Sequence, residues 1–171
     1  MTLTRRRLLG ATLALPVAAL LPASWLWAAE PSAPDRHTAV IHTAGGPQRL
    51  EVEIVDTPAQ RARGLMGRRE LGEEHGMLFV YGQTQPGSRG FWMYRTLIPL
   101  DIAFIDGDGR IVSLQTMPPC ESADAARCPA YTPGSAYQAA LEVNAGYFAS
   151  RGIVEGDCVS AAPLSGQCRA E

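Results

Sequence analysis

The chain contains no lysine, and its arginines form no basic run beyond the N-terminus. All 15 of its basic residues are arginine. Arg5, Arg6 and Arg7 precede the first acidic residue, Glu30, so the remaining chain carries 15 less three, or 12, arginines against 17 acids, a net charge of −5. An acidic domain without a basic surface is a poor match for phosphate backbones and anionic lipids. The composition therefore argues against nucleic acid and anionic membrane surfaces as partners.

The patterns of several common catalytic and metal sites are also missing. Only three histidines are present, and no serine lies in a nucleophile-elbow pattern. No two cysteines are separated by two residues, so a zinc knuckle is not expected. Asp106 and Asp108 flank the glycines of a tight turn, without the distant acid that a calcium loop requires. We therefore expect a binding domain without a cofactor rather than an enzyme.

The N-terminal 29 residues are typical of a twin-arginine-type signal peptide. Arginines follow Thr4, residues 8–29 carry no charge, and Glu30 ends the apolar stretch. Residues 30–36 form a proline-rich linker, and residues 37–171 are predicted to form a single domain. We expect export to the periplasm. If the signal were not cleaved, it is long enough to anchor the protein in the inner membrane.

Four cysteines follow the signal, which fits an oxidising compartment. Three pairings are possible. The simplest joins Cys120 to Cys128 across a loop of small residues. A second local pair joins Cys158 to Cys168, and a thiolate metal site is the alternative for both pairs.

Short apolar segments separated by glycine and proline predict a mainly β fold. Leu50, Val52 and Ile54 alternate with Glu51 and Glu53, which is the pattern of a half-buried strand. Strands are expected at residues 38–43, 48–56, 76–81, 91–95, 98–105, 110–116, 137–143 and 158–162. The alternation of strands with long helices that marks a parallel sheet is missing. We therefore expect a monomeric, compact antiparallel β-barrel or sandwich with two short helices.

The two helices are indicated by their capping residues. Thr57 can cap a helix that runs to about Met66, with Pro58 at its first position and Gln60 completing a capping box. Asn144 is the predicted cap of the second helix, which ends at Gly152. Residues 117–135 form a long irregular loop, and loops of this length are usually functional or tied down.

Residues 91–105 are the most informative stretch of the chain. The stretch begins with aromatic residues, ends in an apolar run, and carries Arg95, Thr96 and Asp101 within it. An apolar run of this kind should be buried, so its polar groups must find partners.

This stretch is one of four motifs that together resemble the domain of unknown function 192 family (DUF192), in the same order and over residues 48–161. The motifs are Arg63-Gly64-Leu65-Met66 with Arg68, Gly76-Met77-Leu78-Phe79, Trp92-Met93 with Thr96 and Ile98-Pro99-Leu100-Asp101, and Leu141-Glu142-Val143-Asn144-Ala145-Gly146 with Gly156-Asp157. The resemblance implies a compact, β-rich, commonly exported domain, but no reaction. One departure is visible: Tyr94 and Arg95 stand where the family often has lysine and asparagine.

Charged and hydroxyl residues within these motifs are the candidate ligand-binding residues. Trp92 beside Thr96 and Asp101 is the kind of surface that holds a sugar or another small polar molecule. The full set of candidates is Arg63, Trp92, Arg95, Thr96, Asp101 and Glu142. A structural alternative pairs Arg63 or Arg95 with Asp101 or Glu142 to stabilise the fold. The domain is thus predicted to bind a small polar ligand or a protein partner.

Two other functions remain open from the residues alone. Met66, Met77 and Met93, with His75, could bind copper(I) through soft ligands, although methionines also fill gaps in apolar cores. Asp101 and Glu142 could serve as the two acids of a glycoside-type hydrolase if they flanked one cleft. The directions in which these side chains point distinguish the alternatives.

Overall fold

The computed structural model describes residues 36–164 and Cys168. The predicted signal peptide and nearly all of the predicted linker lie outside these residues. The described part contains nine strands and two short helices. They are β1 (Arg36–Thr43), β2 (Gly46–Val55), α1 (Pro58–Arg63), β3 (His75–Gln85), β4 (Phe91–Trp92), β5 (Leu100–Ile105), β6 (Ile111–Met117), β7 (Ala130–Tyr131), β8 (Tyr137–Asn144), α2 (Tyr147–Ser150) and β9 (Cys158–Ser160).

Seven strands form one sheet in the order β6-β5-β8-β3-β2-β1-β9, and β4 pairs with β7 in a separate ribbon. The prediction of a mainly β fold with two short helices is confirmed. The prediction that all pairs are antiparallel is wrong at one place, because β2 and β3 are parallel. The segment between them contains α1 and returns the chain to the start of the next strand. A crossover helix of only six residues is too short to show the periodicity by which such units are recognised.

The sheet curls until its two edges approach each other. The N–H of Val159 donates to the carbonyl of Gly109 at 2.7 Å, and the N–H of Ile111 donates to the carbonyl of Asp157 at 2.8 Å. The Cys158–Cys168 disulfide lies beside this contact. These bonds join the start of β6 to β9, so the sheet forms a half-barrel rather than an open layer.

Apolar residues cover the sheet on both faces. We call one face the α2 face, because its core includes Tyr147 and Phe148 with Leu141 and Val143 of β8. The other is the pocket face, and its core contains side chains from β3, β5 and β8 together with residues of the connecting loops. These side chains include Met77, Phe79, Met93, Leu100, Ile102, Phe104, Met117 and Ala140.

The first helix begins as its sequence indicates. The Thr57 hydroxyl accepts the N–H of Gln60, and the Gln60 side chain accepts the N–H of Thr57. The helix ends at Arg63 because Gly64 leaves helical geometry with φ of 47°. A Cβ at Gly64 would lie 3.3 Å from the Phe79 ring. This close approach sets the end of α1 against the pocket face.

The second helix begins later than predicted. Asn144 does not cap it. Instead Asn144 ends β8, and its side-chain amide donates to the carbonyls of Leu71 and Gly72 at 3.0 Å. Gly146, with φ of 84°, precedes the helix. The Asn144 side chain, which the local sequence predicts to cap α2, therefore forms a long-range contact instead.

The long loop at residues 118–136 is tied down by a disulfide, as its composition indicates. Cys120 and Cys128 are bonded, with Cα atoms 5.6 Å apart, and β7 follows directly to pair with β4. Both predicted disulfides are present, and two disulfides indicate an oxidising, exported environment. Among the described residues, none of the helices is long and apolar enough to cross a membrane.

Candidate functional site

Glu142 lies in the middle of the sheet with its side chain on the pocket face. It occupies β8, where it pairs with Met77 of β3 on one side and Ile102 of β5 on the other. Because side chains alternate along a strand, its carboxyl points away from the neighbouring Leu141 and Val143. Both cross-strand neighbours are apolar, and the residue is only 4% exposed. An acid has thus been placed in a core position.

A pocket of about 110 Å³ opens above this acid. Residues 61–66 at the end of α1 form one side, and Phe79 and Tyr81 of β3 form part of the wall. Gly90, Phe91, Trp92 and Thr96 complete the lining. Four of the predicted ligand-binding residues therefore meet at one place: Arg63, Trp92, Thr96 and Glu142.

Two of the polar groups in this pocket have no protein partner. Across the described residues, the Glu142 carboxyl and the Thr96 hydroxyl form no hydrogen bond or ion pair. Thr96 is only 6% exposed and Glu142 only 4%, so both groups have little contact with bulk water. Buried polar groups normally have partners, because an unmade hydrogen bond costs about 1–3 kcal/mol. An acceptor and a hydroxyl left open in one concavity are what a ligand site requires.

Burial dominates the acid–base behaviour of Glu142. Desolvation raises the pKa of Glu142 from 4.5 to about 8, because the charged form loses its water without gaining a cation or donor. At neutral pH the carboxyl is therefore mostly protonated and can donate as well as accept a hydrogen bond. Burial also raises the pKa of Tyr81, with a smaller contribution from the nearby charge of Glu142.

The two arginines of the pocket differ in how they are held. One guanidinium nitrogen of Arg61 donates to the carbonyls of Asp56 and Val80, the latter at 2.9 Å, and the guanidinium lies 4.8 Å from the centre of the Tyr81 ring. Arg63 is exposed and forms no hydrogen bond or ion pair within the described part of the chain. Neither Arg63 nor Arg95 pairs with Asp101 or Glu142, so the predicted structural ion pair is absent among the described residues. The buried ion pair that is present joins Arg68 to Glu53.

The aromatic side of the pocket is positioned by the β4–β7 ribbon. Phe91 packs edge-on against Phe79 at 4.9 Å and against Phe104 at 5.6 Å, which fixes the strand on the pocket face. The next residue, Trp92, stays 47% exposed and lies 5.7 Å from Tyr94. A large half-exposed ring at the mouth of a polar pocket provides a surface on which a ligand can stack.

Asp101 lies on the opposite face of the sheet from Glu142. It pairs with Val143 in the register, so its side chain points to the α2 face. Its carboxylate accepts hydrogen bonds from the Thr116 hydroxyl at 2.7 Å and from the N–H groups of Gly146 at 2.8 Å and Phe148 at 3.5 Å. Asp101 and Glu142 therefore do not flank one cleft, and the hydrolase alternative that needs them together is contradicted by this geometry.

Arg95 does not line the pocket, and its backbone is unusual. It is the one described residue other than glycine with a positive φ, 57°, and its carbonyl accepts the N–H of Gly67 at 2.9 Å. Its guanidinium lies over the Tyr94 ring at 5.1 Å. Asparagine tolerates this left-handed conformation better than other side chains do. An asparagine at this position would therefore fit the backbone conformation better than arginine does.

We predict that Arg95→Asn raises the free energy of unfolding by about 0.5–1 kcal/mol, because it relieves the left-handed strain. Urea denaturation with the disulfides intact measures the change. Arg95→Ala is the matched control, since it removes the same charge but keeps a Cβ-bearing residue without a local amide. An equal gain in both variants would show that charge, and not backbone conformation, is responsible.

The methionines nominated for copper occupy different surroundings. Met77 and Met93 are buried in the apolar core of the pocket face with Met117, where they fill space between aromatic and aliphatic side chains. Met66 lines the pocket, and the Nδ1 atom of His75 is buried without a hydrogen-bond partner. No group of three or more histidine, cysteine or acidic side chains suited to a metal occurs among the described residues. Copper binding through these residues stays a prediction.

Sequence reasoning missed Arg61, Phe79 and Tyr81 as pocket residues. A signal for two of them was present, because Phe79 and Tyr81 follow Met77 at the spacing of two that keeps side chains on one face of a strand. The missing information was that Met77 pairs with Glu142. No local pattern distinguishes Arg61 from the other arginines near it.

Comparisons with known proteins agree on the family and the fold. The family model for DUF192, described as "Uncharacterized ACR", matches residues 39–161. A solved structure described as a putative transcription regulator from Sinorhizobium meliloti 1021 is 33% identical, with a TM-score of 0.68, and the match covers 77% of this chain and 98% of that one. A protein of unknown function from Novosphingobium aromaticivorans DSM 12444 is 30% identical, with a TM-score of 0.64, covering 76% and 88%. A search of curated proteins finds no match.

Proposed function

We propose, from the premise that the chain belongs to the DUF192 family, that this exported β-domain binds a small, sugar-like polar ligand in the pocket around Glu142. The observation that carries the proposal is the Glu142 carboxyl, which is 4% exposed, lines a pocket and has no partner within residues 36–164. A protein does not usually keep a core acid without a partner unless a ligand supplies one. The proposal names a binding function and no reaction.

The lining of the pocket suits a molecule that carries several hydroxyl groups. A protonated carboxyl can donate to one hydroxyl oxygen and accept from another, and the Thr96 hydroxyl has the same double capacity. The Trp92 ring offers an apolar face of the kind that packs against the C–H face of a sugar ring. The volume of about 110 Å³ is below the range of about 300–1,000 Å³ that is typical of drug-sized ligands, so the pocket suits a single small molecule.

A nucleic-acid function is not supported by the surface of this chain. The solved structure from Sinorhizobium meliloti is described as a putative transcription regulator, and that description belongs to that protein. Beyond the first three arginines this chain has a net charge of −5, and a phosphate backbone requires a basic patch. We therefore place no nucleic acid among its partners.

We propose the periplasm as the location, reached through the twin-arginine-type segment ahead of Glu30. The two disulfides support an oxidising compartment. Cell fractionation of the full chain tests this location. Recovery in the soluble periplasmic fraction is expected, whereas recovery only in the membrane fraction would favour an anchored protein.

The binding proposal predicts that Trp92→Ala weakens ligand affinity about tenfold while leaving the fold intact, because the ring is half exposed and its loss removes mainly a stacking surface. A thermal-shift screen against neutral and acidic monosaccharides identifies ligands, and calorimetric titration gives the affinities. Leu97→Ala is a matched control, since Leu97 is a similarly exposed apolar residue outside the pocket. Equal losses in both variants, or no ligand in the screen, would contradict the proposal.

A further inference from the structure

We propose that the ligand is a hydroxylated carboxylate, a sugar acid rather than a neutral sugar, with its carboxylate at Arg63 and a hydroxyl group at Glu142. This inference rests on the proposed binding function and adds the charge of the ligand. It follows from three features of the pocket. The arginines at its rim have no acidic partner among the described residues, a single acid lies at its base, and α1 meets it with its C-terminal end.

The arginines at the rim, Arg61 and Arg63, form no ion pair with any acidic residue in the described part of the chain. Arg61 donates only to backbone carbonyls, and Arg63 has no partner among the described residues. Two other arginines differ in this respect, because Arg68 is held by the carboxylate of Glu53 and Arg151 by that of Glu74. The forked guanidinium of Arg63 is therefore free to bind a carboxylate in the bidentate geometry that suits it.

Glu142 is the only acidic residue of the described chain that lines this pocket. It lies at the base among apolar side chains, where its charged form is disfavoured, and burial raises its pKa to about 8. At pH 7 the pocket consequently holds two cationic groups and a largely neutral acid. In a chain that is otherwise acidic, this is a local positive site, and its complement is an anion.

The number of hydrogen-bond donors in the pocket favours a carboxylate over a phosphate. The pocket is lined by residues 61–66, which are the C-terminal end of α1 and the segment after it. Because this is the C-terminal end of α1, the pocket lacks the set of free N–H donors that a helix N-terminus would offer to a dianion. One free guanidinium, one hydroxyl and one neutral carboxyl match a single negative charge accompanied by hydroxyl groups.

Matched ligand pairs test the inference. The full exported chain is titrated calorimetrically at pH 6.5 and low ionic strength with glucose and glucuronate, galactose and galacturonate, and with glucose 6-phosphate. We expect each uronate to bind at least tenfold more tightly than its neutral partner and than the phosphate. Arg63→Gln should lower uronate affinity about tenfold and should lower neutral-sugar affinity by a much smaller factor, since it removes a charge-assisted contact.

Arg69→Gln is the charge-matched control, because Arg69 is exposed and does not line the pocket. It should leave both affinities unchanged. If neutral sugars bind as tightly as uronates, the inference fails and the binding proposal stands. If glucose 6-phosphate binds most tightly, the ligand is a phosphate ester and the inference also fails. If no compound binds, both proposals fail.

The pH-dependence gives a second, independent readout. The other titratable or charged groups that line the pocket are Arg61, Arg63 and Tyr81, and burial raises the pKa of Tyr81. Uronate affinity should fall as pH rises through 8, because Glu142 becomes an anion facing the ligand. Glu142→Gln should abolish that fall. A pH-independent wild-type affinity would overturn the assignment of Glu142 to the ligand hydroxyl.

Discussion

Glu142→Gln is expected to raise the free energy of unfolding by about 3 kcal/mol at pH 7. Each unit of pKa shift corresponds to about 1.4 kcal/mol, and burial raises the pKa of Glu142 from 4.5 to about 8. The folded protein must hold a proton at pH 7 that the unfolded chain has already released. Glutamine keeps the shape and the neutral state of the protonated side chain without that cost. Urea unfolding of the two proteins with intact disulfides measures the difference.

The sign of the pH-dependence follows from the same linkage. Between about pH 4.5 and 8 the folded state binds more protons than the unfolded state, so the contribution of Glu142 to stability falls as pH rises. Below this window the residue carries no penalty, and above it the penalty is complete. Wild type should therefore lose stability from pH 5 to pH 8 relative to Glu142→Gln. Glu73→Gln, at an exposed acid outside the pocket, is the control and should retain the wild-type loss of stability over this range.

A gain in the free energy of unfolding on Glu142→Gln would support a role for Glu142 in binding. A residue that destabilises the free protein, and that an isosteric neutral side chain would improve, is typical of a binding site. Ligand binding would recover part of the cost by supplying hydrogen-bond partners to the carboxyl. If Glu142→Gln instead destabilised the protein at every pH, the carboxylate would be serving the fold, and the pocket would lose its central residue.

Asp101→Ala is expected to lower the free energy of unfolding by about 3–5 kcal/mol. This change is opposite in sign to the one expected for Glu142→Gln. The Asp101 carboxylate accepts three hydrogen bonds, from the Thr116 hydroxyl and from the N–H groups of Gly146 and Phe148. Alanine would leave all three donors without their acceptor, and two of these donors lie at the start of α2. The loss is large because Asp101 is only 4% exposed, so water cannot readily replace the carboxylate. Chemical denaturation gives the loss.

Thr116→Val is the graded control, because it removes one of the three bonds and should cost about 1 kcal/mol. Ligand affinity provides the second readout. Protein that remains folded after either substitution should bind as wild type does, since Asp101 faces away from the pocket. A loss of affinity without a loss of stability would instead return Asp101 to the binding site.

Local sequence predicted those features of the fold that depend on neighbouring residues. The Thr57 capping box depends on a spacing of three residues, and Cys120 and Cys128 are close in the chain, so both could be predicted. The parallel pairing of β2 and β3 could not, because it depends on how α1 crosses the sheet. Asn144 was assigned to a helix cap because its partners, Leu71 and Gly72, are more than 70 residues away.

The candidate site shows the same limit. Residue type alone nominates four residues that meet in one pocket, namely Arg63, Trp92, Thr96 and Glu142. Asp101 was selected on the same grounds and lies on the other face, because one position of strand register decides to which face a side chain points. Sequence composition can nominate a buried acid, but only the register shows whether that acid meets a ligand or three protein donors.

The motif around Glu142 contains one residue that faces the pocket and several that stabilise the fold. Glu142 faces the pocket, whereas Asn144 fixes the turn at Leu71 and Gly146 donates its N–H to Asp101. Gly76 belongs to the same arrangement, since a Cβ there would lie 2.8 Å from the Glu142 carbonyl. The scaffold residues hold the strand that carries the acid, and the acid itself stays without a partner among the described residues.

The most direct test of the central claim, that the pocket around Glu142 is a ligand site, is a residue-resolved NMR titration. Backbone and indole N–H signals of the exported protein are followed as the best compound from the sugar and sugar-acid series is added. We predict that the largest shifts cluster at Gly64, the Trp92 indole, Thr96 and Glu142. Shifts centred on the α2 face around Asp101, or no saturable shifts with any compound of the series, would contradict the account.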